Sequence, residues 1–342
     1  MNKKSVRFGL LGCGKISERH AQEMVKLGML TAVCDINPER ADKLAERYQT
    51  KAYYSYAEML EKEKNNLDLI SVCTPNGLHK EHSIQALLNG QNVLCEKPLA
   101  IHTADAKEML DTATRVDKKL FVVKSTRFNK VILALKKAID SHLLGELYSF
   151  QMNCFWNRTD EYYLKDEWRG TIALDGGCLY TQFSHYIDIL SWLFGAAQTI
   201  SGERKNFIHQ KSVEFEDTGV ASLVLQNGML GGVNWSINAV DKNIEISLAI
   251  FAEKGTVKLG GAYLNTIEYE SPSGILKLDN KIVDNGANDY GFYQGSMSNH
   301  DKVYAHLINS LESGEKLIAD GMDGLNTVKF IESIYQNCSL IK

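Results

Sequence analysis

The sequence predicts an α/β fold: an N-terminal Rossmann-type, doubly wound parallel sheet, then an α+β domain built on a mostly antiparallel open sheet. Three observations carry this expectation. Short apolar runs alternate with amphipathic helical stretches through the first third of the chain, which is the pattern of βαβ units. The first run, Val6 to Leu11, ends in the glycine turn Gly12-Cys13-Gly14-Lys15-Ile16-Ser17 and leads into a helix. Beyond about Ser125 the pattern changes to strands of alternating apolar and polar residues, separated by turns such as Gln226-Asn227-Gly228. A chain of 342 residues exceeds the size at which one core usually stops growing, so two domains are expected, 1–125 and 126–342.

The glycine turn fits the dinucleotide fingerprint G-x-G-x-x-G/A, with Gly12, Gly14 and the small Ser17 in its three special places. Gly12 permits the sharp turn, Gly14 lets backbone approach a pyrophosphate, and Ser17 lets helix and strand pack closely. The phosphates would rest on the unpaired amides where the helix begins, near Lys15 and Ile16. A second apolar run, Leu30 to Cys34, ends at Asp35, twenty-one residues after Gly14. That is where an acidic side chain takes the adenosine ribose hydroxyls, and a carboxylate there repels a 2′-phosphate. NAD is therefore the expected cofactor, with Arg40 near enough to soften the preference. The alternative, that Asp35 and Asn37 cap the helix starting at Pro38-Glu39-Arg40, stays open beside it.

The remaining elements of the first domain follow in order. A helix from Pro38 to Tyr48, an extended piece at Ala52-Tyr53 and a helix from Tyr56 to Lys62 precede the buried run Leu69 to Val72. The helix His79 to Asn89 stops at Gly90. Asn92 to Cys95 is the next strand, then come a helix from Thr103 to Val116 and a strand from Leu120 to Val123. Cys73-Thr74-Pro75-Asn76 and Glu96-Lys97-Pro98 lie at the carboxyl ends of their strands, where such sheets bind ligands. In the second domain a helix from Lys130 to Ser141 leads to the strands. Val233, Trp235 and Ile237 alternate with polar residues, as do Ile244, Ile246, Leu248 and Ile250. Helices are expected at Gly177 to Phe194, His300 to Leu311 and Gly321 to Cys338. An exposed face of such a sheet commonly becomes an oligomer interface.

Composition removes several function classes. With 44% hydrophobic and 23% charged residues and a formal charge of −4, there is no basic footprint for nucleic acid. No apolar run approaches the roughly 20 residues that span a bilayer. Met1-Asn2-Lys3-Lys4 leads straight into the first strand, so a cytoplasmic protein without a signal peptide is expected. Seven cysteines without a C-x-x-C pair point to reduced, packed thiols rather than a disulfide framework or zinc site. His79 and His82 stand three apart, with no further cysteine or histidine nearby to complete a metal site.

The glycine turn, Asp35, Cys-Thr-Pro-Asn-x-x-His (Cys73 to His79) and Glu96-Lys97-Pro98, followed by an α+β domain, resemble the Gfo/Idh/MocA oxidoreductase family along essentially the whole chain. That family binds NAD(H) or NADP(H) and moves a hydride between it and a ring hydroxyl of a sugar or cyclitol. The resemblance implies that Lys97 reaches the reacting hydroxyl and that Lys97-Pro98 is a cis peptide. It also implies that Thr74, Pro75, Asn76, His79 and Glu96 line the nicotinamide half. An ordinary lysine, with a pKa of about 10.4, is protonated near neutrality and acts as a donor that polarises the oxygen; only burial would make it a base. His185 is the expected partner, since histidine titrates near pH 6.5 and suits taking an alcohol proton. On one continuous helix Thr181, His185 and Asp188 would share a face. The family pattern often has an aspartate four residues before the histidine; Thr181 stands there instead, which puts an aspartate-histidine mechanism in doubt. Asp188 reads as a helix anchor.

A further stretch, Phe155-Trp156-Asn157-Arg158 through Tyr162-Tyr163 to Trp168-Arg169-Gly170-Thr171, continues to Asp175-Gly176-Gly177 and Gln182-x-x-His185. It is similar to the bacterial branch that oxidises UDP-N-acetyl-glucosaminuronic acid at C3 in making surface polysaccharide. The expected substrate-binding set is Lys97, Arg158, Tyr163, Thr181, Gln182 and His185. Arginines can grip a carboxylate or diphosphate, and aromatic rings can cover sugar or uracil faces. By the same resemblance Trp168 and Arg169 press on the nicotinamide; packing is the alternative for the aromatic residues. His300 either reaches the pocket or caps a helix. The resemblance implies a homo-oligomer, a tetramer or dimer. An inositol or simple sugar substrate, and a non-catalytic NAD- and sugar-sensing regulator, are the competing readings.

Overall fold

The computed structural model describes residues 5–279, 281–289, 294–314 and 319–341. The chain forms two compact units, Met1–Lys124 with His300–Val328, and Ser125–Asn299 with Lys329–Lys342. The return of the late helix to the first unit has no signature in the local pattern.

The first unit alternates β1 (Val6–Leu11), α1 (Ser17–Leu27), β2 (Gly28–Cys34), α2 (Pro38–Tyr48), β3 (Lys51–Tyr53), α3 (Tyr56–Lys62), β4 (Leu69–Val72), α4 (His79–Leu88), β5 (Asn92–Cys95), α5 (Thr103–Arg115) and β6 (Leu120–Val122). The strands form one parallel sheet in the order β3-β2-β1-β4-β5-β6. The order reverses between β1 and β4, which places a ligand crevice at the carboxyl ends of those strands. The apolar runs are the buried centre: Phe8, Leu10, Leu69, Ile70 and Val93 are fully enclosed. Helix α1 buries Ser17, His20, Ala21 and Met24, a stripe at helical spacing. Helix α2 begins with Pro38, and Asn37 caps it by accepting the Arg40 amide.

The second unit comprises α6 (Lys130–Asp140), β7 (Leu147–Phe155), α7 (Asp160–Leu164), α8 (Cys178–Thr181), α9 (Ser184–Phe194), β8 (Ala197–Lys205), β9 (Thr218–Leu225), β10 (Leu230–Ser236), β11 (Glu245–Ala252), β12 (Gly255–Gly260), β13 (Thr266–Ser271), and the short pair β14 (Ala287–Asp289) and β15 (Gln294–Met297). Helix α10 (His300–Ser313) belongs to the first unit, α11 (Gly321–Asn337) starts there, and β16 (Cys338–Ile341) ends in the second unit. The large sheet runs β13-β12-β11-β7-β10-β9-β8-β16. Five of its pairings are antiparallel; β7 with β10 and β8 with β16 are parallel. The predicted alternation holds for Val233, Trp235, Ile237, Ile246, Leu248 and Ile250, which are buried; Ile244 precedes β11 and is exposed, and Ser247 is buried although it was expected on the polar side. Val233, Trp235, Ile246, Leu248 and Ile250 face the same side as Phe150, which stacks on Phe194 of α9 at 5.2 Å. The opposite side carries polar ladders, Asn234 on Asn153 at 2.9 Å and Thr218 with Ser236 at 2.9 Å. Val220, Leu230, Phe251 and Tyr269 are exposed there.

The helix expected over 177–194 is two helices. Phe183 leaves helical geometry at φ −115°, ψ 5°, and its fully buried ring packs 5.3 Å from Trp156. That contact offsets α8 from α9, so Thr181 and His185 do not continue one helical face. Asp188 anchors α9 through a bidentate, fully buried bond to Arg127, at 2.7 and 2.8 Å. All seven cysteines are free thiols. Among the described residues no helix is long and apolar enough to cross a membrane.

Candidate active site

In the first unit the glycine turn closes around Asp35. One carboxylate oxygen accepts the Cys13 amide at 2.7 Å and the other the Asn37 amide at 2.8 Å. The acid thus fastens the turn after β1 to the turn after β2. Each carboxylate oxygen keeps a second lone pair for a hydroxyl donor. The ribose and capping readings of Asp35 are compatible for that reason. Gly12 lies at φ +92°, and a Cβ on it would meet the Cys73 carbonyl group at 2.7 Å. Only glycine lets the turns after β1 and β4 come this close. A Cβ on Gly14, by contrast, would meet nothing within 4 Å, leaving open space beside the backbone. Helix α1 starts at Ser17, two residues later than expected; Lys15 and Ile16 belong to a turn that the Ser17 hydroxyl ties to the Gly14 carbonyl at 2.5 Å. Lys15 is exposed, as is Arg40 on α2. A backbone cradle with open space above it, and an acid at the end of the next strand, fit a dinucleotide.

The next two strand ends meet through His79. Its Nδ1 is 2.7 Å from the Pro98 carbonyl and its Nε2 2.8 Å from the Thr74 carbonyl. Burial pushes the imidazole below its ordinary pKa, although the two carbonyls pull the other way. His79 therefore braces the Thr74-Pro75 turn against the Lys97-Pro98 turn. The Lys97-Pro98 peptide is cis. The Thr74 hydroxyl meets His82 Nδ1 at 3.0 Å, and Asn76 is buried in a short 3₁₀ turn. Glu96 faces the interior: its Oε1 meets His20 at 2.9 Å and His300 at 3.4 Å, and its Oε2 accepts the Lys97 amide at 3.0 Å. Burial alone would raise this carboxyl, but the bonds from His20 and His300 hold it well below the usual range. His300 is thus a buried partner of Glu96. Of the residues expected along the nicotinamide, His79 and Glu96 are internal braces. Lys97, half-buried, stands at the strand end itself.

In the second unit Arg158 is 4% exposed and organises its surroundings. Its Nε donates to Gln182 at 2.7 Å, its Nη1 to the Asn157 carbonyl and to Asn243, and its Nη2 to the Gln294 carbonyl. The guanidinium lies 4.8 Å from the centre of the Trp156 ring and 5.2 Å from that of Tyr162. Gln182 passes the link on, donating to the Tyr162 hydroxyl at 3.0 Å. Arg169 also reaches that hydroxyl, while its Nε pairs with Asp166 at 2.9 Å and its guanidinium covers Trp168 at 4.6 Å. Tyr162 is the hub that the sequence did not single out. Tyr163 beside it is 2% exposed, packed edge-on against His209 and Phe215. Both tyrosines are buried, with their rings edge-on at 5.0 Å, and nothing in their spacing says which one carries the polar contacts.

The Asp175-Gly176-Gly177 motif has a local cause. Asp175 is fully buried, accepts the Gly170 amide at 2.8 Å and the Thr181 hydroxyl. The carboxylate missing at position 181 is thereby supplied to its hydroxyl from six residues earlier. Gly177, at φ +135°, leaves room for the Tyr335 hydroxyl, which accepts the Leu179 amide at 2.9 Å. His185 sits in the first turn of α9, 5% exposed, with its ring 6.4 Å from that of Tyr186.

Comparison with known proteins agrees with this architecture. The family profile described as "Oxidoreductase family, NAD-binding Rossmann fold" matches residues 6–124, and that of the GFO/IDH/MocA C-terminal domain matches residues 132–258. The WlbA dehydrogenase of Bordetella pertussis, solved in complex with NADH and UDP-GlcNAcA, is 32% identical with a TM-score of 0.85, covering 97% of this chain and 96% of that one. The WlbA dehydrogenase of Chromobacterium violaceum, solved with the same two ligands, is 32% identical with a TM-score of 0.88, over 98% and 94%. The D-apiose dehydrogenase of Rhizobium rhizogenes is 24% identical, over 99% of this chain and 97% of its own. With the cradle, the acid at the second strand end and both domain profiles in place, the chain belongs to the Gfo/Idh/MocA oxidoreductase family and is an NAD-dependent dehydrogenase.

Proposed function

We propose that this enzyme oxidises a ring hydroxyl of a nucleotide-linked sugar, the C3 hydroxyl of UDP-N-acetyl-glucosaminuronic acid, in the making of surface polysaccharide. The observation that carries the reading is its 32% identity, over nearly the whole chain, to two dehydrogenases solved with NADH and UDP-GlcNAcA. The Arg158–Gln182–Tyr162–Arg169 cluster supports it, being a rigid arrangement of donors and rings of the kind that orients a polar sugar nucleotide. When bound, NAD supplies the acceptor for the hydride that leaves the carbon. Lys97 donates a hydrogen bond to the hydroxyl oxygen, fixing and polarising it. His185 accepts the hydroxyl proton. Asp35 takes the ribose hydroxyls, and the amides around Gly12, Gly14, Lys15 and Ile16 take the pyrophosphate. Exposed Val220, Leu230, Phe251 and Tyr269 on the open side of the large sheet support assembly into a homo-oligomer of two or four chains.

The test is kinetic. Lys97→Met and His185→Ala are each expected to lower kcat with the UDP-sugar by at least a hundredfold, while the NAD Kd measured by calorimetry stays within about threefold. Wild-type turnover in either variant removes that residue from the mechanism. NADH formation with myo-inositol but not with the UDP-sugar would move the substrate to the simpler class; the myo-inositol 2-dehydrogenase of Thermotoga maritima, 24% identical over 93% of this chain and 92% of its own, makes it the comparison to run.

A further inference from the structure

Behind Lys97, inside the first unit, runs a chain of buried polar groups that the mechanism above does not use. His20, on the inner face of α1, is fully enclosed. Its Nε2 lies 2.9 Å from Glu96 Oε1, and its Nδ1 lies 2.8 Å from the Tyr304 hydroxyl of α10. That hydroxyl is also 2.8 Å from Ser71 Oγ on β4. His300, one turn before Tyr304, reaches the same Glu96 oxygen at 3.4 Å. The second Glu96 oxygen accepts the backbone amide of Lys97. Two helices far apart in sequence, α1 and α10, thus converge on one carboxylate, and that carboxylate holds the peptide from which the lysine side chain departs.

The order of protons follows from the acceptors. An ionised Glu96 needs a donor facing Oε1, so His20 carries its proton on Nε2. Burial favours the neutral ring, so Nδ1 is an acceptor and the Tyr304 hydroxyl donates to it. Tyr304 then accepts from Ser71. His20 and Tyr304 each give one bond and take one, with Ser71 as the terminal donor, which leaves a single arrangement for these three bonds. His20, Glu96 and His300 also have the composition of a metal site. The 2.9 Å approach of His20 to Glu96 is that of an N–H···O bond. Ligands around zinc, bonded at about 2.0–2.1 Å, would stand about 3.3 Å apart.

The geometry points to His20, Tyr304 and His300 as positioning residues for Lys97: by fixing Glu96 they set the backbone at position 97 and so aim its amine. This rests on the reading of Lys97 as the group that polarises the hydroxyl. Neighbouring buried donors make the carboxylate rigid, and a positioning error of about 1 Å at a catalytic group costs about a hundredfold in rate.

The test compares Tyr304→Phe, His20→Ala, His20→Gln and Lys97→Met, assayed with NAD and UDP-N-acetyl-glucosaminuronic acid. Tyr304→Phe keeps the ring and is expected to lower kcat about tenfold; His20→Ala is expected to lower it about a hundredfold. The KM for NAD stays within about twofold in both. His20→Gln, whose amide can still donate to Glu96, recovers most of the loss. In protein labelled with ¹⁵N-lysine, the Lys97 amide resonance shifts in His20→Ala and Tyr304→Phe and returns in His20→Gln, a readout that needs no substrate. An inactive Lys97→Met beside unchanged kcat and unchanged amide shifts in the His20 and Tyr304 variants overturns the positioning role alone. Wild-type kcat in Lys97→Met overturns the reading of the lysine and this proposal with it. One equivalent of zinc in the purified protein, whose chelation reproduces the His20→Ala loss, assigns the cluster to a metal and overturns the proposal as well.

Discussion

Gly12 shows how closely one residue can be prescribed by its surroundings. Its positive φ costs any other side chain about 1–3 kcal/mol, and the Cβ would press on the Cys73 backbone besides. Gly12→Ala is therefore expected to lower Tm by several degrees and weaken NAD binding at least tenfold, checked by scanning calorimetry and NAD titration; unchanged affinity would contradict the cradle. Residues of this kind were legible because their constraint is local: Gly12, Asp35 and Lys97-Pro98 each follow a short apolar run, and the run itself announces the strand end. His20 and Tyr304 were not legible, since 284 residues separate two side chains that share one hydrogen bond. Glu96 was singled out by the family resemblance, while its partners His20 and His300 lie too far away in the chain for any local pattern to name them.

At the scale of elements, period-2 alternation fixed the faces of β10 and β11, and the stop at Gly90 fixed the end of α4, because burial and helix termination act over a few residues. The break between α8 and α9 was hidden, since it lies where Phe183 meets Trp156, the residue that follows β7. Strand β16 was hidden too, its partner β8 lying far upstream. Glu216, just before β9, ties a pH dependence to the packing of several elements. This carboxyl is fully buried where β9 begins, accepting from Tyr335 of α11 at 2.7 Å and Trp235 of β10 at 3.2 Å, with Arg204 of β8 at 3.5 Å. Burial outweighs those partners and pushes it up to about 7. The folded state therefore holds a proton that the unfolded chain releases near pH 4.5, so this contribution is full below that pH and fades as pH rises through about 7. Relative to Glu216→Gln, the wild type should lose about 3 kcal/mol of stability between pH 4.5 and 8, measured by urea unfolding. Parallel pH profiles for the two proteins would contradict it.

At the scale of the molecule, each unit contributes a different kind of order. The first unit brings strand ends to one crevice, as parallel sheets do, and fastens them with Asp35, His79 and Glu96. The second unit builds a cluster of rings and guanidinium groups around Tyr162 on a sheet whose other side stays open. Under the proposed function, a hydride leaves C3 of a UDP-linked N-acetylated uronic acid. The most direct measurement is one turnover with enzyme in excess and UDP-N-acetyl-glucosaminuronic acid deuterated at C3, followed by mass spectrometry of the nucleotide and the sugar. One deuterium on NADH and none left at C3 of a sugar two mass units lighter than its unlabelled precursor is the expected result; deuterium retained in the sugar, or no NADH formed, rules this reaction out.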